Sequence, residues 1–168
     1  VHNNLGNALS ELGQLDSAIE HYRFALSQKS DHADAHNNLA IALAMKGQFP
    51  EAISHFERTL SLNPTNAGAH SNLGNAYAIQ QQFEKAIQQY EKALKLNPND
   101  SQAHNNLGNV LMQQDRTAEA IQHYEISLRL NPNNPEEHFN LGMALLRNSR
   151  RLEAVKHLQQ ALNLRPDY

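Results

Sequence analysis

Apolar residues along this chain recur at helical spacing in short segments separated by polar, proline-marked breaks. Ala103, Leu107, Val110 and Leu111 fall three, four and seven apart on one stripe, and Ala120, Ile121, Tyr124, Leu128 and Leu130 form a second stripe soon after. That spacing predicts two amphipathic helices, packed antiparallel. The pair then recurs: Leu5, Leu39, Leu73, Leu107 and Leu141 stand 34 residues apart with no insertion. Each sits in a version of one phrase, from His2-Asn-Asn-Leu-Gly-Asn through His36, His70 and His104 to His138-Phe-Asn-Leu-Gly-Met. A fixed period of this length predicts an array in which each helix pair buries its apolar face on its neighbours, without one globular core.

Turn chemistry places the boundaries. Asn63-Pro64, Asn97-Pro98, Asn131-Pro132 and Arg165-Pro166 share one phase. Proline lacks an N–H and disfavours helix at the preceding residue, so the second helix of each unit ends there. Asn66, Asp100 and Asn134 suit the cap of the next helix, and Pro135 its first position. Between the helices of a unit, Gly13 and Gly47 accept the left-handed geometry that closes a helix. Gln81, Asp115 and Ser149 occupy the same register and predict strained or differently closed turns. One array over 1–168 is expected, with units of about 1–32, 33–66, 67–100, 101–134 and 135–168, the first helix being truncated. Gly6, Ala40, Gly74, Gly108 and Gly142 in the first helices are matched by Ala18, Ala52, Ala86, Ala120 and Ala154 in the second. Glycine inside a helix costs about 1 kcal/mol against alanine, so its return implies close helix approach. Tyr22, Phe56, Tyr90, Tyr124 and Leu158, with Ile19, Ile53, Ile87, Ile121 and Val155, are expected to fill the space around that contact.

Composition narrows the function classes. Apolar residues make up 40% and charged ones 18% of the 168 residues, enough to bury and too little charge for a disordered tail. A net charge of −3 and a pI near 6.4 offer no electrostatic footprint for nucleic acid or an anionic membrane. There is no bilayer-length apolar run, and the start at Val1 reads as an excised fragment. The absence of cysteine excludes disulfides and thiolate zinc sites; nothing addresses the chain to a compartment, and a cytoplasmic location is the expectation.

The repeat resembles the tetratricopeptide repeat (TPR) family over the whole chain. The family pattern places Leu, Gly and Tyr in the first helix, then Ala, an aromatic, Ala and Pro, matched most fully by Leu73, Gly74, Tyr77, Ala86, Tyr90, Ala93 and Pro98. Histidine stands where the family usually has tryptophan, and Leu158 replaces the aromatic in the last unit. The resemblance implies an all-α, right-handed superhelical solenoid whose first helices line a concave surface. Ankyrin units differ in length and motif, and an RNA-reading helical repeat should be more basic.

The ten histidines invite a metal or catalytic reading. His2, His36, His70, His104 and His138 mark the first helices, and His21, His55, His123 and His157 share one register of the second. Once-per-unit residues form a row, whereas zinc needs three or four ligands converging at about 2 Å, so structural or surface roles are expected. Asp31-His32-Ala33-Asp34-Ala35-His36 departs from that pattern and could chelate weakly, although Asp31 or Asp34 capping a helix start is the expectation. There is no phosphate loop, catalytic triad signature or cysteine nucleophile, and Glu136-Glu137 suits a helix start. No enzyme activity, catalytic residue, metal site or cofactor is expected.

The first helices carry carboxamides, while the second carry charges such as Glu91 with Lys95 and Glu125 with Arg129. Asn4, Asn38, Asn72, Asn106 and Asn140 form one column, flanked by Asn3, Asn37 and Asn105, by Asn7, Asn75 and Asn109, and by Phe139. Asparagine both donates and accepts, so such a column can hold an extended peptide backbone whatever its sequence. It resembles the asparagine ladder of the repeat domain in O-linked N-acetylglucosamine transferases, which implies recruitment of protein substrates. A packing or helix-end role for these asparagines is the alternative. At about 1 kcal/mol net per contact, four contacts reach only about millimolar affinity before ordering costs. Side-chain pockets are therefore expected among Ala44, Met45, Ala78, Ile79, Met112, Gln113, Leu146 and Arg147, with a partly hydrophobic ligand rather than an acidic tail. Family members that clamp a terminal carboxylate do so with Lys and Arg on first helices; Arg147 is almost alone here.

The expected function is a non-catalytic protein-protein interaction module holding an extended peptide through the ladder and apolar pockets. The alternatives are a substrate-recruiting arm of a larger, glycosyltransferase-like enzyme, or a scaffold. Leu152, Val155, Leu158, Leu162 and Leu164 would leave an apolar end for further repeats or end-to-end self-association.

Overall fold

The computed structural model describes residues 1–166, which fold into helices with no strand among them. In chain order these are α1 (His2–Glu11), α2 (Leu15–Gln28), α3 (Ala33–Met45), α4 (Phe49–Leu62), α5 (Ala67–Ile79), α6 (Phe83–Leu96), α7 (Ser101–Gln113), α8 (Thr117–Leu130), α9 (Pro135–Arg147) and α10 (Arg151–Leu164). Two compact units divide the chain at Gln82. In the first, α1 to α5 pack each on the next, and α1 and α5 both touch α3. In the second, α6 to α10 do the same, with α7 touching α9. Within each unit, contacts join elements one or two apart in sequence, the nearest-neighbour pattern of a repeat protein.

The helix starts follow the capping residues. Asn66 Oδ1 accepts the Ala69 N–H at 2.9 Å, Asp100 Oδ1 that of Ala103 at 3.0 Å, and Asn134 Oδ1 that of Glu136 at 3.0 Å. The start of α3 differs from expectation. His32, not a neighbouring aspartate, is the cap, its Nδ1 accepting the Ala35 N–H at 3.4 Å, while Asp34 sits in the first turn.

The turns inside the helix pairs are closed alike, so of the two alternatives expected at Gln81, Asp115 and Ser149 the structure shows strain and not a different closure. Gly13 and Gly47 have φ of 74° and 75°, and Gln81, Asp115 and Ser149 follow at 56°, 59° and 62°. The residue after each sends its N–H back five residues, Gln14 to Leu9 and Arg116 to Leu111 at 2.9 Å in both cases. Satisfying those carbonyls holds L-residues where only glycine is unstrained. Gln81→Gly and Ser149→Gly should therefore each raise stability by about 1 kcal/mol, read as the urea midpoint, with less gain at Asp115 because aspartate tolerates this region better.

The core is the expected stripe, from which Leu130, Val155 and Leu158 depart. Ala103, Leu107, Val110 and Leu111 are buried, as are Ala120, Ile121, Tyr124 and Leu128, but Leu130 is exposed. Val155 is also exposed and Leu158 half-buried, because no later helix covers α10 among the described residues. The recurring glycine makes room for a ring more than for the alanine opposite. A Cβ on Gly108 would lie 2.6 Å from Tyr124 Cε1, and one on Gly6 2.5 Å from Tyr22 Cε1. At Gly142 the neighbour is Leu158, with the Ala154 carbonyl at 3.4 Å.

Candidate functional site

The asparagines of the first helices bond to one another across neighbouring repeats. In the first unit, Asn38 Nδ2 donates to Asn7 Oδ1 at 2.9 Å and to Asn3 Oδ1 at 3.4 Å. Tyr22 donates its hydroxyl to the same Asn7 oxygen at 3.0 Å. In the second unit, Asn140 Nδ2 donates to Asn109 Oδ1 at 3.3 Å and to Asn105 Oδ1 at 3.4 Å, while Tyr124 donates to Asn109 at 2.7 Å. Each network ties two first helices to the buried tyrosine beneath them. It also orients the column residue, with Nδ2 turned into the protein and Oδ1 outside these bonds. Asn106 accepts from Gln102 at 2.9 Å, and Asn4 is exposed at the start of α1. Phe139 is half-buried on α9, at the register where Asn3, Asn37 and Asn105 stand.

Two pockets open beside column residues of the first unit. One, of about 190 Å³, is lined by Asn7, Ser10, Glu11, Tyr22, Asn38 and Ile41. The other, of about 270 Å³, includes Ile41, Ala44, Met45, Phe56, Asn72 and Ile79 in its walls. The expected pocket residues Ala44, Met45 and Ile79 thus meet here. Arg147 does not offer a free guanidinium; it pairs with Asp115 and donates to the Met112 carbonyl at 3.3 Å. Glu125 likewise faces Arg150 at 3.6 Å, and no ion pair with Arg129 forms.

The sequence shows the histidines in two separate registers. They are partners: Nδ1 of His2, His36, His104 and His138 lies 2.8–3.0 Å from Nδ1 of His21, His55, His123 and His157. The repeated separation of 19 residues was the available signal. In three of these pairs the first histidine also reaches a backbone carbonyl with Nε2, at Ser30, Pro98 or Pro132, 3.0–3.1 Å away. His70 makes the same contact to Pro64 at 3.1 Å. A carbonyl only accepts, so Nε2 carries the proton, and in the neutral ring Nδ1 then accepts from the second histidine. In these three pairs, the bonded histidines thereby lock the turn before a repeat to its two helices. His36 and His32 are both committed in this way, to a carbonyl and to a helix cap, and the 31–36 segment brings no converging ligand set together.

Burial, and next the charge its partner would carry, holds His55, His123 and His157 below the usual histidine range, partly offset by nearby glutamates such as Glu51 and Glu119. The unfolded chain then binds more protons than the folded one below about pH 6.5. Stability present above that pH is expected to be lost as pH falls through the lowered values. Thermal unfolding followed between pH 7.5 and 5 checks it, and a transition that does not fall over that range counts against it.

One buried acid also emerges. Glu137 is 1% exposed on α9, with Oε2 2.6 Å from Ser127 Oγ and Oε1 accepting from Asn134 Nδ2 at 3.0 Å. The sequence places it at a helix start but does not mark an acid for the interior, since alanines Ala35, Ala69 and Ala103 hold the same register.

Short helix pairs in nearest-neighbour contact, with a carboxamide-lined face on the first helices, define an all-α helical-repeat protein. Tetratricopeptide repeat models match residues 3–67, 55–88 and 135–168, and a TPR repeat model matches 74–115 and 108–149. The chain belongs to the tetratricopeptide repeat family. It is similar to a crystal structure of MamA, with 26% identity, a TM-score of 0.89, and 95% of this chain and 93% of that one covered. It is also similar to YrrB, described as a TPR protein with an unusual peptide-binding site, at 25% identity and a TM-score of 0.86 over 99% of this chain and 86% of that one. A third similar structure is PilF of Pseudomonas aeruginosa, at 27% identity and a TM-score of 0.87 over 96% and 74%. No curated protein sequence matches the chain. Among the described residues no helix is long and apolar enough to cross a membrane.

Proposed function

We propose that the chain is a non-catalytic protein-interaction module, with repeats near 1–32, 33–66, 67–100, 101–134 and 135–168, that holds an extended peptide along its first helices. The carrying observation is that two pockets in successive repeats of the first unit each have a column asparagine in the wall, Asn38 in one and Asn72 in the other. With Nδ2 spent on Asn7, Asn38 offers Oδ1 to a peptide N–H, and Asn7, whose oxygen takes two bonds, offers Nδ2 to a peptide carbonyl. Donor and acceptor side by side match a backbone irrespective of its side chains. The peptide-binding site ascribed to YrrB supports the same reading. Asn106 and Asn140, with their neighbours Asn105, Asn109 and Phe139, are assigned the same role in the second unit, and Asn4, Asn3, Asn37 and Asn75 belong with it.

The test is a peptide-library screen against the chain with Asn38, Asn72 and Asn106 changed together to alanine. Binding to selected peptides is expected to fall at least tenfold with the helical circular-dichroism signal intact; unchanged affinity in a folded variant removes the ladder. Exposed Leu152, Val155 and Leu162 on α10 favour a second reading, a scaffold assembling through its ends. A strictly monomeric mass at high concentration rules that out.

A further inference from the structure

The two pockets of the first unit occupy the same register one repeat apart, and their linings differ in character at most positions. Asn7 is replaced by Ile41, Ser10 by Ala44, Glu11 by Met45 and Tyr22 by Phe56, against one exchange in the other direction, Ile41 to Asn75, while Asn38 and Asn72 stand at the same point of each. The first pocket has a carboxylate, two hydroxyls and two carboxamides; among the described residues Glu11 has no salt-bridge partner. The second is walled mainly by Ile41, Ala44, Met45, Phe56 and Ile79, with Asn72 and Asn75 at its polar side, and Met45 and Ile79 are 63% and 58% exposed. Its volume of about 270 Å³ suits one large side chain more than a free small molecule, whose pockets run to about 300–1,000 Å³.

The same exchange undoes the polar network. With no hydroxyl on Phe56 and no oxygen on Ile41, Asn72 loses the junction that Asn38 finds at Asn7, and among the described residues its side chain makes no hydrogen bond. The remaining counterpart acceptor, Asn37 Oδ1, equivalent to the Asn3 oxygen that Asn38 reaches, is buried and unpartnered. Asn72 thus keeps both ends of its carboxamide for a ligand, directly beside an apolar pocket.

We infer that the first unit reads two side chains of one extended segment: a basic side chain between α1 and α3, at Glu11, and a large apolar one between α3 and α5, at Ile41 and Phe56, with Asn72 gripping the backbone between them. This rests on the peptide-binding reading above and adds the ligand's chemistry to it. Neighbouring helices pack about 8–10 Å apart, and an extended chain rises about 3.1–3.4 Å per residue, so the two side chains lie about three residues apart. At that spacing a polyproline II segment brings a side chain back to the same side.

The test uses the 168-residue chain, isotopically labelled, titrated by NMR with synthetic nonapeptides of a glycine-serine host. The peptides carry Lys and Leu three positions apart in either order, and controls replace Leu by Asp or Lys by Glu. One order of the Lys and Leu peptide is expected to bind at least tenfold more tightly than its Asp control and than its Glu control. The I41N/F56Y double variant puts into the second repeat the residue types the first already folds with. It should reduce the Leu preference below threefold and leave the Lys preference unchanged, while E11M does the reverse. A Leu preference that survives I41N/F56Y, or wild-type protein that binds the Asp control equally well, overturns the inference. If N38A/N72A then lowers binding of every peptide, the peptide-binding reading stands without it; if no peptide binds the wild-type chain, both fall together.

Discussion

Tyr124→Ala is expected to cost about 3–5 kcal/mol of stability, the range for removing a fully buried aromatic side chain. The ring is 2% exposed and lies where a Cβ on Gly108 would come within 2.6 Å of it, so the helices are spaced for this ring and little is available to fill the void. Its hydroxyl donates to Asn109 at 2.7 Å, and Asn109 in turn takes the Asn140 amide at 3.3 Å. Tyr124→Phe removes only that bond and should cost about 0.5–1.5 kcal/mol. The contrast separates packing from the polar network, and equilibrium urea unfolding measures both. Should the alanine variant lose under about 1 kcal/mol, the ring would not be what sets the helix spacing. Phe56 is the natural counterpart of Tyr124→Phe, and there the network is gone and a pocket stands in its place.

That substitution shows what periodicity made legible and what it hid. A side chain seen every 34 residues declares its register, so Leu107, Tyr124 and the caps Asn66, Asp100 and Asn134 could be placed from sequence alone. The column Asn38, Asn72 and Asn140 was legible in the same way. Its internal bonding was not, because whether an amide meets a partner depends on a residue 31 positions back, asparagine for Asn38 and Asn140 but Ile41 for Asn72. The histidine pairs were hidden for a related reason: each register was visible, while the geometry that faces one Nδ1 to another is set by the crossing of the two helices. The turns at Gln81, Asp115 and Ser149 were legible only as two alternatives, strain or a different closure, of which strain is the one realised. Local preference argued against the left-handed conformation, and the carbonyls at the helix ends, satisfied only by that closure, outweighed it.

Glu137→Lys is expected to lose about 3–5 kcal/mol, since it leaves an uncompensated charge in a buried site, whereas Glu137→Gln should leave neutral-pH stability unchanged or raise it. The reason lies in the count of hydrogens. Ser127 Oγ is 2.7 Å from the Ser101 carbonyl and 2.6 Å from Glu137 Oε2, yet a hydroxyl has one proton to donate. The carbonyl only accepts, so when Ser127 donates there, the short contact to Glu137 needs a proton on the carboxyl. Burial raises the Glu137 pKa above the usual carboxylate value, against the lowering by its bonds to Ser127 and Asn134, which favours that neutral form. Glutamine reproduces it, with Oε1 accepting from Asn134 and Nε2 donating to Ser127. Because the folded value is raised, the stability Glu137 contributes is complete below the ordinary glutamate range and is lost as pH rises through the raised value. This runs opposite to the histidine pairs, so Glu137→Gln should flatten the alkaline side of the stability profile and leave the acid side falling. Urea midpoints at pH 5, 7 and 9 for both proteins read the difference directly. A variant that loses more than about 1 kcal/mol at neutral pH, or that keeps the wild-type alkaline slope, would mean that Glu137 is held as a carboxylate and that Ser127 turns its proton toward it.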